Sequence, residues 1–150
     1  MIKHIKCNIF DSGADIICHQ TNCRGIMGSG VAKQVREKYP QVYEQYKRVC
    51  ASGERLLGRT QIVPISATQS IANLFGQDSY GYDSSCYTDY DALLNCLKQV
   101  RAFCPSKTIA IPFLLGCARG GGDWSIVSSI INEVFDDYDG DVLICECNKG

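Results

Sequence analysis

Residues 21–35 read TNCRGIMGSGVAKQV, a short turn holding three glycines that runs straight into an amphipathic helix. Gly25, Gly28 and Gly30 are spaced G-x-x-G-x-G. Glycine takes positive φ and lets a second backbone or a ligand come close. After Gly30 the apolar residues fall at helical intervals, so the free N–H groups of the first turn point back at the glycines. Free N–H groups and the positive end of a helix dipole together form a site for an anion such as phosphate. The spacing fits neither G-x-G-x-x-G nor G-x-x-x-x-G-K-[ST], which argues against an ordinary dinucleotide fold and against a P-loop. A tight turn that merely happens to be glycine-rich is the competing reading of this stretch alone.

Working outward, residues 14–20 (ADIICHQ) just before the turn form a continuously apolar run, expected as a central strand. Residues 2–7 are a first strand of alternating polarity, and the start MIKHIKCNIF has no long apolar core, so it is not a signal peptide. The helix after the turn runs from 30 to 39 and stops at Pro40, which opens the next helix. In that second helix Val42, Tyr43, Tyr46, Val49 and Cys50 make one buried face, ended by Gly53. Strands follow at 59–65, with Pro64 placing it at an edge or strand end, and at 70–75. Residues 76–87 form a long polar loop with exposed tyrosines, of the kind that often carries function. Thr88-x-x-Asp91 reads as a helix cap, and the helix it opens ends near Cys104-Pro105. A buried strand at 108–114 leads into a second glycine turn at 115–123. The helix after it puts Ile126, Val127, Ile130, Ile131, Val134 and Phe135 on one side, and residues 142–147 are the last strand.

Alternating strands and helices indicate an α/β sandwich with a mostly parallel sheet, expected here as one domain over residues 1–150. Ligands bind such sheets outside the carboxyl ends of the strands, and both glycine turns lie at strand-to-helix junctions of that kind. The second turn, Gly116-Cys117-Ala118-Arg119-Gly120-Gly121-Gly122-Asp123, can form an anion-binding nest from its main-chain N–H groups. Two such loops suggest a diphosphate held by backbone donors. Asp123 has two readings, a helix N-cap and a general base on water. Asn22 also has two, a turn former and a partner for a ribose hydroxyl.

The formal charge is −1, from 15 basic and 16 acidic residues, and no basic stripe is visible. Duplex nucleic acid is therefore a poor partner. No apolar run reaches the ~18 residues of a membrane span, and the chain reads as cytoplasmic. The ten cysteines show no CxxC pair, so they read as free thiols, and a metal at Cys18, His19 and Cys23 is disfavoured because adjacent strand residues face opposite ways. Neither Cys23 nor Cys117 has an activating neighbour in sequence, which argues against a thiol nucleophile.

In order along the chain, the strand ending in Cys7-Asn8-Ile9-Phe10, then ADIICHQTN, GIMGSGVAKQ, IANLFGQ and IPFLLGCARGGGDW resemble a macrodomain. The most similar subgroup is the bacterial Appr-1-p processing type, related to ADP-ribose 1″-phosphate phosphatase and terminal ADP-ribose glycohydrolase. The resemblance implies a three-layer α/β/α sandwich with a six-stranded mixed sheet and a cleft for ADP-ribose, with no cofactor and no metal. By position, Asn8 stands where the family has an Asp that accepts from the adenine amino group, and Ile9 offers a neighbouring backbone contact. Asn22 corresponds to the Asn near the distal ribose. Gly28, Ser29, Gly30 and Val31 match the first phosphate loop, and Gly116, Cys117, Ala118, Arg119, Gly120, Gly121 and Gly122 match the second. Gln77, Tyr80 and Tyr82 are candidates for the distal ribose.

Catalysis is where the chain departs from that pattern. The glycohydrolase branch uses a lysine after the fourth strand, and the stretch here, LFGQDS, has none. The branch's catalytic Asp falls near Gly120, with Asp123 three positions later. The implied activity is hydrolysis of an ADP-ribosyl adduct or of ADP-ribose 1″-phosphate by activated water, with Asp123 as its acid and a monomer as its form. The alternative is a reader of ADP-ribose without turnover. Gly30→Glu puts bulk and negative charge where a phosphate must sit, and calorimetry is expected to show loss of ADP-ribose binding.

Overall fold

The apolar run before the first glycine turn forms strand β2 (Ile16–Thr21), paired on one side with β4 (Ser70–Phe75) and on the other with β5 (Ile109–Pro112). The computed structural model describes residues 1–147. Around these strands the chain places β1 (Ile2–Lys6), a 3-10 turn (Ile9–Asp11), α1 (Gly30–Lys38), α2 (Pro40–Ala51), β3 (Thr60–Pro64), α3 (Tyr90–Phe103), α4 (Trp124–Val134) and β6 (Val142–Glu146). The sheet order is β1-β6-β5-β2-β4-β3. Only β3 runs antiparallel, and it lies at an edge with Pro64 as its last residue, where a missing N–H costs no ladder bond.

Side chains alternate across the sheet and fill two separate apolar layers. Ile16, Cys18, Ala72, Ile109 and Ile111 pack under α3 and α4. Ile17, Ile71, Phe75 and Ala110 pack under α1 and α2. Burial on both faces explains why β2 and β5 read as continuous apolar runs. Each fully buried Ile or Leu contributes roughly 1.5–3 kcal/mol. The result is the expected three-layer α/β/α arrangement. No helix among the described residues is long and apolar enough to cross a membrane.

One irregularity of the sheet matters for function. β2 and β5 share only two register pairs, Ile16 with Ile109 and Ile17 with Ala110. β2 stays paired with β4 through Thr21, so beyond Ile17 the two parallel strands part. The chain also leaves them in opposite directions, toward β4 and β3 on one side and β6 and β1 on the other. A crevice between the carboxyl ends of parallel strands at such a switch point is where open α/β sheets bind ligands.

Three local expectations need correction. Asp89, not Thr88, caps α3, its Oδ1 accepting from Ala92 N–H at 3.0 Å. Thr88 is buried and its hydroxyl is engaged elsewhere, so the cap falls one residue later. Ile126 is exposed, because the buried stripe of α4 is Val127, Ile131 and Val134, and Ile126 sits about 100° round the helix from Val127. β5 ends at Pro112 and does not reach Leu114, which takes φ +65 in the turn that follows.

Helix α2 anchors the first glycine turn from below. The hydroxyl of fully buried Tyr46 lies 2.7 Å from Asn22 O and 2.8 Å from Asn22 Oδ1, donating to that pair. Tyr46→Phe leaves both acceptors buried with one donor fewer, and urea unfolding is expected to show a loss of about 1–2 kcal/mol.

Candidate functional site

The parting of β2 and β5 opens into a cleft of about 310 Å³. Its lining takes His19 to Asn22 from the end of β2, Ser29 to Ala32 from the start of α1, and Pro112 to Gly116 with Ala118 to Gly120 from the second glycine turn. Gln77, Tyr80, Gly81 and Tyr82 close one side from the loop after β4. The two glycine turns predicted from sequence thus face one shared space.

The first turn is shaped by Asn22, whose amide is committed to the loop. Its Nδ2 donates to Ile26 O at 2.9 Å and its Oδ1 accepts from Arg24 N–H at 2.9 Å. Gly25 and Gly30 take φ +81 and +61, conformations that a side chain strains. Ser29 precedes α1 in extended geometry, with no side-chain bond to the helix. The first N–H groups of α1 are consequently unpaired within the helix and, at Gly30, Val31 and Ala32, belong to the cleft wall.

The second turn is shaped by close approach. A Cβ on Gly120 would lie 2.5 Å from both Gly116 O and Thr88 Oγ1, and one on Gly121 2.3 Å from Ser85 O. Gly120 O accepts from the N–H groups of Tyr87 and Thr88, which binds this turn to the loop after β4. Thr88 Oγ1 donates to Gly116 O at 2.6 Å and accepts from Gln20 Nε2 at 2.9 Å, while Gln20 Nε2 also donates to Gln77 Oε1 at 2.7 Å. The N–H groups of Cys117, Gly121 and Gly122 are spent inside the turn. Those of Ala118, Arg119 and Gly120, which line the cleft, donate to no main-chain acceptor among the described residues.

The candidate residues therefore divide. Asn22, Ser29, Gly30, Val31, Gln77, Gly116, Ala118, Arg119 and Gly120 surround the cleft, whereas Gly28, Cys117, Gly121 and Gly122 do not line it. Asn8 and Ile9 line a second cavity of about 270 Å³ over the tips of β1, β6 and β5. Val31, Pro112, Phe113 and Leu114 border both cavities, so the two adjoin, and together they are termed the groove. Asn8 Oδ1 accepts from Phe10 N–H at 3.0 Å and caps the 3-10 turn.

Asp123 lines neither cavity. It is exposed and caps α4, its Oδ1 accepting from Ser125 N–H at 2.8 Å and from Ser125 Oγ at 2.7 Å. Those bonds hold its carboxyl below the usual carboxylate range. Burial pushes the Cys23 and Cys117 thiols up to about 11, with Asp78 adding to the first and Asp123 to the second, so neither is a ready thiolate. Among the described residues no three potential metal ligands are grouped.

His19, weighed in the sequence only as a disfavoured metal ligand, has a different place in the structure. It is 1 % exposed on the floor of the cleft, with Nε2 2.6 Å from Asn73 Oδ1. Asn73 Nδ2 donates to Gln61 Oε1, so Asn73 presents an acceptor and the His19 proton resides on Nε2. Nδ1 is left as a buried acceptor with no partner, and Gln20 Oε1 is another. Burial lowers the His19 pKa to about 4, against the partial opposition of the Asn73 bond, which keeps the ring neutral. The signal in the sequence was the polar run HQTN ending an otherwise apolar central strand.

A family model described as Macro domain matches residues 18–131. The chain belongs to the macrodomain family. This macrodomain is 24% identical over 138 residues to a protein of Mycobacterium tuberculosis named DNA ADP-ribosyl glycohydrolase, a match covering 90% of this chain and 39% of that protein. It is 31% identical over 109 residues to the ADP-ribose 1″-phosphate phosphatase of Saccharomyces cerevisiae, covering 67% and 62%. Among solved structures it superimposes on the macrodomain of Mycobacterium tuberculosis DarG with a TM-score of 0.81 and 25% identity, over 97% of each chain. The chain spans about two fifths of the length of the glycohydrolase relatives it matches.

The neutral His19 sets a pH dependence. Between about pH 6.5 and 4 the unfolded chain binds a proton at this position that the folded one refuses, so stability falls as pH drops through that window. Urea midpoints between pH 7 and 4.5 are expected to decline less steeply for His19→Gln than for the wild type.

Proposed function

We propose that this macrodomain binds ADP-ribose along the groove and hydrolyses an ADP-ribose derivative, either a 1″-phosphate ester or an ADP-ribosyl adduct. The observation that carries the reading is the pair of main-chain cradles, Gly30 to Ala32 and Ala118 to Gly120, opening on one cleft. A diphosphate fits between them, held by N–H donors at a helix start and in a turn. The cavity at Asn8 and Ile9 takes the base, and the end walled by Gln77 and Tyr80 takes the distal ribose. The named activities of the glycohydrolase and phosphatase relatives support this assignment. We read the unit as a single domain, acting as a cytoplasmic monomer on free or carrier-linked ADP-ribose.

His19 replaces Asp123 as the group placed for chemistry. Its unpaired Nδ1 is closed off from solvent, so the water it would take a proton from is one enclosed beside it beneath the cleft floor. The water oxygen bonds to phosphorus or to the anomeric carbon, the bond to the leaving group breaks, and the water proton passes to Nδ1. A reader without turnover is the second reading, favoured by a lining around the two cradles that has no lysine and no carboxylate among the described residues.

Release of phosphate and of free ADP-ribose, measured on a panel of esters and adducts, separates these readings. Turnover is expected in the wild type and in Asp123→Ala, with a loss of about 100-fold or more in His19→Gln. Equal turnover by the wild type and His19→Gln removes His19 from the mechanism. Tight calorimetric binding with no turnover on the whole panel leaves the reader.

A further inference from the structure

Arg119 is the one ionised side chain lining the cleft among the described residues. Its guanidinium lies 4.4 Å from the centre of the Tyr82 ring, so a residue of the second glycine turn reaches over to the loop after β4. No carboxylate pairs with it among the described residues. The nearby acids are engaged elsewhere. Asp78 pairs with Arg24 at 2.8 Å, Asp83 accepts from Tyr87 Oη at 2.8 Å, and Asp123 is bonded to Ser125. An exposed cation–π contact is worth only about 0.5–1 kcal/mol, so it aims the guanidinium without consuming its donors.

The order of the sheet fixes which part of a ligand Arg119 meets. The cavity holding Asn8 sits over β1, β6 and β5, whereas Tyr82 follows β4, beyond β2. A ligand with its base at Asn8 and its diphosphate at the two cradles therefore brings its distal end to Tyr82 and Arg119. Main-chain donors already serve the diphosphate, and a +1 charge with five free donors matches an additional anion.

We propose that Arg119, carried on Tyr82, reads a third anionic group at the distal end of the ligand, so the cleft takes an ADP-ribose phosphate ester in preference to ADP-ribose or to an adduct with a neutral leaving group. This rests on the reading of the groove as an ADP-ribose site. A methylenephosphonate analogue of ADP-ribose 1″-phosphate, which resists hydrolysis, tests it beside ADP-ribose in calorimetric titrations at low salt. The wild type is expected to bind the phosphonate about tenfold more tightly than ADP-ribose. That ratio falls to about one in Arg119→Gln, stays above about three in Arg119→Lys and is reduced in Tyr82→Ala. A wild-type ratio near one overturns the proposal while the ADP-ribose reading stands, and so does Arg119→Gln weakening both ligands equally, which assigns Arg119 to the diphosphate. Failure of the wild type to bind either ligand removes both readings.

Discussion

The site depends on where a hydrogen-bonded ladder stops. β2 and β5 are held together for two register pairs and then separate, while β2 keeps its full pairing with β4. Pro112 ends β5 without an N–H to offer, and the turn beyond it begins with Leu114 in a left-handed conformation. β5 stays paired with β6 as far as Pro112, so its ladder to β2 stops two residues before the strand itself does. The crevice is thus a product of the sheet itself, and the loops decorate a gap that the strands have already made.

Each wall of that gap is braced by a different part of the core. Asn22 and Tyr46 fix the first turn from the α2 side. Gln20, Thr88 and Gln77 fix the second turn from the α3 side, with glycines at 76 and 116 where the Gln20 amide occupies the space a Cβ would need, and at 120 where Gly116 O and Thr88 Oγ1 do. Polar side chains that look like ligand contacts in the sequence are largely occupied in this bracing. The groups left without protein partners at the cleft are main-chain N–H groups of the two turns and the Arg119 guanidinium, and several such donors suit a shared negative charge.

The architecture was legible because its signals were local and redundant. Both glycine turns at strand ends, Pro40 between two helices and Pro64 at an edge strand each followed from backbone rules that act over a few residues. What escaped depended on contacts far apart in sequence. Thr88 looks like a cap until its hydroxyl is seen on Gly116, 28 residues away. His19 offers nothing but a disfavoured metal ligand in the sequence until Asn73, 54 residues away, fixes its proton on Nε2 and leaves Nδ1 without a partner. Asp123 was ambiguous in sequence, and the structure places it on α4 as a cap, since an acid next to a helix start finds main-chain donors before it finds a ligand.

Bracing of both walls from beneath has a consequence for how ligands come and go. The strands that flank the cleft belong to one sheet, while one of its sides is the loop after β4. The Arg119 and Tyr82 side chains meet between that loop and the second glycine turn, and side chains at an exposed surface reorient in picoseconds to nanoseconds. A ligand's way past them can therefore open and close on that timescale while the strands beneath stay paired.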